Sequence, residues 1–128
     1  MTICIGKPGY MSDRQIKQLA DEGHEVGLHT LDHPDMRKLS GTKPGTQIIK
    51  PKRKLEAITA KKVEYFAYPY GAWNNAAVIA LKQSGIKAAF QLSDKESERE
   101  SLYTLRRLLV PGNWTATTLH KQIQATFR

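Results

Sequence analysis

Apolar positions along the chain follow two spacings that alternate from start to end. From Ser12 to Gly23 they recur at helical intervals: Ile16, Leu19 and Ala20 form one face. Ser12-x-x-Gln15 is a capping box, Met11 can staple onto Ile16, and Gly23 is a natural stop. HEVGLH then alternates as a strand does. His24, Val26 and Leu28 point one way, and Glu25, Gly27 and His29 the other. A helix is expected from Pro51 to Thr59, with Leu55 and Ile58 facing inward. VEYFAY (Val63 to Tyr68) reads as a strand that Pro69 must end. Asn74 or Asn75 caps a helix carrying Val78 and Leu81, and Gly85 stops it. IKAAFQL and LYTLRRLLV read as further strands, the second ended by Pro111-Gly112. Thr115 caps a last helix whose apolar stripe is Leu119, Ile123 and Phe127. MTICIG reads as the end of a strand, while SGTKPGTQ and SDKESERES read as loops.

Strands separated by helices predict an α/β fold with a mostly parallel sheet and right-handed crossovers. In such folds the functional loops follow the C-terminal ends of strands. The two unusual segments of this chain, HTLDHPDM and PYGAWNN, both occupy that position. With no repeat, low-complexity tract or linker, residues 1–128 are expected to form a single domain, long enough to bury a core.

Apolar content of 40% and charged content of 25% are those of a globular protein, and no apolar run approaches a membrane span. The first residues show no charged n-region, apolar h-region or cleavage site, so as written a cytoplasmic placement is expected. Cys4 is the one cysteine, expected to be a buried thiol. Lys and Arg total 20 against 12 Asp and Glu, a net charge of +8, which would suit an anionic partner. The densest basic cluster, Lys50 to Lys54, lacks interleaved aromatics. It is expected to be a solvated helix face, and nucleic acid is not the expected partner.

Three of the 4 histidines fall between His24 and His33. His29 ends a predicted strand and His33 lies one turn on, before Pro34. Imidazoles at this spacing can converge on a metal, with Asp32 as a nearby carboxylate. His24 shares a face with Val26 and Leu28 and is expected to be structural. His120 lies beside the Leu119 stripe and is expected to face solvent. In FAYPYGAWNN, Pro69 keeps Tyr68 extended and Gly71 permits a turn that a Cβ would block. That turn should expose the Tyr70 and Gly71 N–H groups near a helix start, where they could stabilise an oxyanion. Trp73 reads equally as a platform for a sugar ring or as a core aromatic.

Taken together, GHEVGLHT-x-x-HP, K-x-x-LE, FAYPYG-x-x-N and the later LRR strand resemble the polysaccharide deacetylase family, in its order and from about Tyr10 onward. The resemblance implies a distorted (β/α) barrel with helices outside, hydrolysing the N-acetyl amide of amino-sugar polysaccharides or oligosaccharides. It implies that His29 and His33 bind a divalent metal, usually zinc. It also implies that Pro69, Tyr70, Gly71 and Trp73 line the substrate groove, with the Tyr70 N–H in the oxyanion hole. Relatives are often exported.

The chain departs from the family pattern in three ways. It has no Asp-Asp pair to supply a general base and a third metal ligand. The arginine of the R-x-P-Y-G motif is Ala67, and the late leucine-x-histidine motif is missing. Arg107 matches a strand arginine of that region, with no role attached. About five strands are too few to close a barrel, so the barrel is expected to be incomplete. Either the chain is truncated upstream, or a second copy in a homodimer covers the gap. The metal site is therefore expected to be incomplete and activity impaired. The alternative is a non-catalytic carbohydrate-binding or interaction module on the same scaffold.

Overall fold

The computed structural model describes residues 1–39, 43–92 and 95–127. Residues 40–42 of the SGTKPGTQ loop and 93–94 of the charged stretch lie outside the described residues. The first helix, α1 (Asp13–Asp21), begins on the predicted capping box: the Ser12 hydroxyl accepts from the Gln15 N–H, and the Gln15 side chain accepts from the Ser12 N–H. It ends in a Schellman motif. Gly23 (φ +93°) donates to the Ala20 carbonyl, and His24 donates to the Leu19 carbonyl.

The second helix starts earlier than the sequence suggests. A π-helical turn, Gly45–Ile49, runs directly into α2 (Lys50–Thr59). Pro51 explains it. A proline inside a helix lacks the donor for the ordinary bond and crowds the preceding carbonyl, so the turn before it widens. The Lys50 N–H donates five residues back, to Gly45. The remaining elements are β1 (Tyr65–Ala67), α3 (Asn75–Gln83), β2 (Ala88–Gln91), β3 (Leu105–Arg106) and α4 (Ala116–Thr126). Asn74, of the two candidates, is the residue that caps α3.

The strands form a parallel sheet in the order β1-β2-β3, as the alternation predicts. Leu28 extends it through a single bridge to Phe66. Its N–H donates to the Tyr65 carbonyl at 2.8 Å, and its carbonyl accepts from Ala67 at 2.9 Å. On the helix side of the sheet Leu28, Phe66 and Ala89 join Ile16, Leu55 and Leu81 in one buried core. Each fully buried aliphatic or aromatic side chain there contributes about 1.5–3 kcal/mol. The register puts Tyr65, Ala67, Phe90 and Leu105 on the opposite face, where they are only half-buried or, like Ala67, border an open groove.

Three strand expectations need correction. MTICIG is a 3-10 turn (Thr2–Cys4), because its donors pair with the Thr30 and Leu31 carbonyls of a loop and not with a strand. HEVGLH is strand-like only at Leu28, where Gly27 lets the backbone approach Tyr65 so closely that a Cβ would lie 3.3 Å from its carbonyl oxygen. LYTLRRLLV keeps only two residues in β3, since the buried Thr104 hydroxyl ties Ser97 and Glu100 into a turn just before it. His24 is exposed and not structural, because the Schellman turn uses its backbone while its ring points outward. Cys4 is buried and free, as expected. Helix α4 buries no residue. Ile123 and Phe127 of its stripe are exposed, Phe127 lying against the Arg106 guanidinium.

Tyr68 is wholly buried, its hydroxyl has no hydrogen-bond partner among the described residues, and burial raises its pKa well above the usual tyrosine value. Leaving a buried polar group unpaired costs about 1–3 kcal/mol. The Tyr68→Phe variant is therefore expected to be more stable than the wild type by about 1 kcal/mol, seen as a higher urea midpoint at unchanged slope. A lower midpoint would show that the hydroxyl has a partner.

Candidate functional site

His29 follows the bridging residue Leu28, at the C-terminal edge of the sheet. Its Nδ1 lies 2.6 Å from the Ala67 carbonyl oxygen. A carbonyl only accepts, so Nδ1 carries the proton and Nε2 keeps its lone pair. Burial holds the imidazole below the usual histidine pKa. The Ala67 bond opposes this, and the charges of His33 and Arg107 add to it. His29 is therefore neutral at pH 7, the form a metal requires.

The His29 and His33 rings meet edge to face, with centroids 4.8 Å apart, and His33 meets the Tyr70 ring in the same way at 4.5 Å. Thr30 organises this turn. Its buried hydroxyl donates to the His29 carbonyl at 2.6 Å and accepts from the His33 N–H at 3.0 Å. Thr30 has φ +62°, His33 φ +69° and Tyr70 φ +57°. These are three of the four described non-glycine residues with positive φ, and all three lie in the two candidate loops. Strain concentrated in this way marks a site whose surroundings hold it in a set geometry.

Pro69, Tyr70 and Gly71 form a 3-10 turn after β1. Gly71 has φ +66°, and a Cβ there would lie 2.6 Å from the Leu92 nitrogen, so the position needs glycine. Of the two donors expected at this bend, the Gly71 N–H is already bonded to the Tyr68 carbonyl at 3.0 Å. The Tyr70 N–H has no backbone acceptor among the described residues. Its side chain is 67% exposed beside His33, which makes the Tyr70 ring a more accessible platform than Trp73. Trp73 is half-buried against the core and donates from Nε1 to the Gln91 side chain at 2.7 Å. Gln91 is itself buried and donates to the Lys95 and Thr104 carbonyls.

Asn74 joins the two loops: while its Oδ1 caps α3, its Nδ2 donates to the Arg37 carbonyl at 2.8 Å. The sequence marks Asn74 as a cap without showing this second bond. Thr30, part of the histidine motif, carries no sign there of its paired hydrogen bonds. His120 is exposed, as expected. Asp32 is exposed and lines a depression with Asp35, Lys38 and Gln47. Among the described residues no group of three His, Cys, Asp or Glu side chains is placed to hold a metal. The donor set accordingly fits two positions of a catalytic metal centre, which normally has three protein ligands.

The polysaccharide deacetylase family model matches residues 4–89, which include both histidines and the bend. Among curated relatives, a chitooligosaccharide deacetylase of Azorhizobium caulinodans is 32% identical over 56% of this chain and 34% of its own length. The crystal structure of BC0361, a polysaccharide deacetylase from Bacillus cereus, superposes with a TM-score of 0.79 at 25% identity. That match covers 95% of this chain and 39% of the other. BA3943, a CE4 family pseudoenzyme from Bacillus anthracis, is 32% identical with a TM-score of 0.57, over 60% of this chain and 27% of its own. The chain spans 22% to 39% of the length of the first curated relatives it matches. Its parallel sheet and outer helices form an arc of the neighbours' (β/α) barrel, the incomplete barrel expected from the strand count. With the family match extending over well more than half of the sequence, the chain belongs to the polysaccharide deacetylase family.

Proposed function

We propose that this chain carries the histidine and oxyanion side of a metal-dependent amino-sugar de-N-acetylase site. The observation that carries this reading is the convergence of His29, His33 and Tyr70 at the C-terminal end of the sheet. His29 through Nε2, together with His33, would hold a divalent metal, of which zinc suits two imidazoles. When bound, such an ion polarises an amide carbonyl and lowers the pKa of water. The chain's own residues do the rest. The Ala67 carbonyl fixes the His29 tautomer, the Thr30 hydroxyl holds His33 one turn away, and the Tyr70 N–H, which has no backbone acceptor among the described residues, would donate to the acetamide oxygen. Hydrolysis adds water across the C–N bond and leaves a free amine and acetate. Among the described residues no carboxylate, Asp32 included, groups with the two histidines to serve the proton transfer.

The second reading is a non-catalytic carbohydrate-binding module on the same scaffold. The two-histidine donor set favours it, and a CE4 pseudoenzyme is among the structural neighbours. Chitin oligomers with added zinc or cobalt separate the two. Acetate release supports the first reading, and oligosaccharide binding without acetate release supports the second. Neither the relatives nor the structural neighbours support a homodimer as cover for the open side of the sheet.

Cobalt absorption should report on the histidines directly. His29→Gln and His33→Gln are each expected to weaken cobalt binding at least about tenfold, as loss of a direct ligand does. Unchanged affinity in either variant would remove it from the site. Thr30→Ala is expected to lose about 1–3 kcal/mol of stability and weaken cobalt binding, whereas Thr30→Ser keeps the hydroxyl and retains both. The folded state resists protonation of His29, while the unfolded ring takes up a proton near pH 6.5. This contribution to stability is therefore complete above that pH and is lost as pH falls below it. In an NMR titration the His29 ring should show a midpoint below 6.5. A midpoint at or above that value would contradict the burial argument.

A further inference from the structure

Gln91 ends β2 and lies just beyond the residues 4–89 matched by the family model. It is on the helix side of the sheet with Ala89 and is 1% exposed. The end of β2 forms the seat of the Pro69 bend. Before the bend, the Tyr68 N–H donates to the Phe90 carbonyl at 2.9 Å. Beneath it, the Leu92 nitrogen would lie 2.6 Å from a Cβ at Gly71. After it, the Trp73 indole N–H donates to the Gln91 side chain at 2.7 Å. Arg107, which follows β3, reaches across the end of β2 to the entry side of the bend, where its Nη2 donates to the Tyr68 carbonyl at 2.9 Å.

The Gln91 amide is bonded at both ends. Its oxygen takes the indole N–H, and its nitrogen donates to the Lys95 carbonyl at 2.7 Å and to the Thr104 carbonyl at 2.8 Å. Carbonyls only accept and an indole N–H only donates, so these partners hold the amide in one orientation. Neither an ionised carboxylate nor an apolar side chain can replace it. Thr104 is itself buried, and its hydroxyl holds Ser97 and Glu100. The bend has little else to fasten it to the sheet on its exit side. The Gly71 and Ala72 N–H groups bond within the turn, to the Tyr68 and Pro69 carbonyls, and Asn74 bonds to the Arg37 carbonyl of the histidine loop. Tyr70, with φ +57°, keeps that conformation only while its flanks are held.

We propose that Gln91 is a positioning residue of this site: through the Trp73 indole it sets the Pro69–Gly71 bend, and with it the place of the Tyr70 N–H and ring beside His33. That this place serves an acetamide oxygen rests on the deacetylase reading, whereas the link from Gln91 to the bend does not depend on it. Because Gln91 is hidden, it cannot touch a sugar itself, so its effect on binding passes through the bend.

The test uses the full chain labelled with 15N and free of metal. Gln91→Met, similar in length but without the amide, should displace the Trp73 indole and Tyr70 amide resonances and leave the Leu28 amide in place. It should also weaken binding of chitin oligomers at least about tenfold. Trp73→Phe keeps a ring against the core but removes the N–H, and should displace the Tyr70 amide in the same direction. Gln91→Glu adds a pH signature. While neutral, its carboxyl can accept from the indole and donate to one carbonyl; once ionised, it faces two carbonyls with nothing to donate. The Tyr70 amide of this variant should therefore move in a pH step absent from the wild type. A lower urea midpoint with the Tyr70 resonance unmoved would show a glutamine that only stabilises the fold, and would overturn the proposal. The same holds for wild-type oligomer affinity in folded Gln91→Met. If Gln91→Met fails to fold, Trp73→Phe and the pH step decide. Wild-type protein that binds no chitin oligomer removes the carbohydrate readings, while the Tyr70 displacement still decides Gln91.

Discussion

One hydrogen bond, from His29 Nδ1 to the Ala67 carbonyl, holds the candidate site together. It lies where the sheet is thinnest, since the segment before His29 joins β1 only through Leu28. Without it, the histidine turn would be joined to β1 only through the Leu28 bridge. With it, three things are set at once: the His29 tautomer, the spacing of the histidine loop from the Pro69 bend, and the direction of the unprotonated nitrogen. The Asn74 bond to the Arg37 carbonyl and the ring contact between His33 and Tyr70 then close the two loops against each other. Each contact is modest, but together they hold three strained residues in place.

Much of this was legible in the sequence, because the responsible signals are local. A capping box needs only four residues, and Ser12 to Gln15 forms one. Glycines at 23, 71 and 85 take the positive φ their positions suggested, and Asn74 is at the start of α3. The two loops that carry chemistry were visible because both follow strand-like runs and both contain residues a plain turn does not need. Signals that depend on a distant partner were not legible. MTICIG has strand-like composition, yet whether it is a strand depends on what lies beside it, and what lies beside it is a loop. The outward ring of His24 follows from how α1 ends, not from the alternation of HEVGLH. Pro51 looked like a first helical residue, whereas the chain is already helical before it.

The site itself was only partly readable. Histidine spacing suggested convergence, and the two rings do meet, but the supporting bonds join residues far apart in sequence, such as 29 with 67 and 68 with 107. Arg107 was visible as an arginine on a strand. Its placement across the sheet end requires the register of three strands. Trp73, which reads equally as a sugar platform or a core aromatic, illustrates the same limit, because a buried glutamine at 91 decides where the indole N–H goes.

The widened turn at Gly45–Ile49 has a consequence for how this scaffold tolerates change in length. An extra residue in one turn advances everything after it by about 100° around the helix axis. Gln47 faces inward to receive the Leu31 N–H, and Leu55 faces inward to the core, only because the helix carries that phase offset between them. Deleting one residue from this turn would restore regular winding but force a choice between the two. Either the support beneath the histidine loop is lost, or Leu55 rotates toward solvent and the lysine-rich side of the helix toward the core. Indels should therefore be rarer at 45–49 than in ordinary helices, with Pro51 the residue that keeps the offset in place.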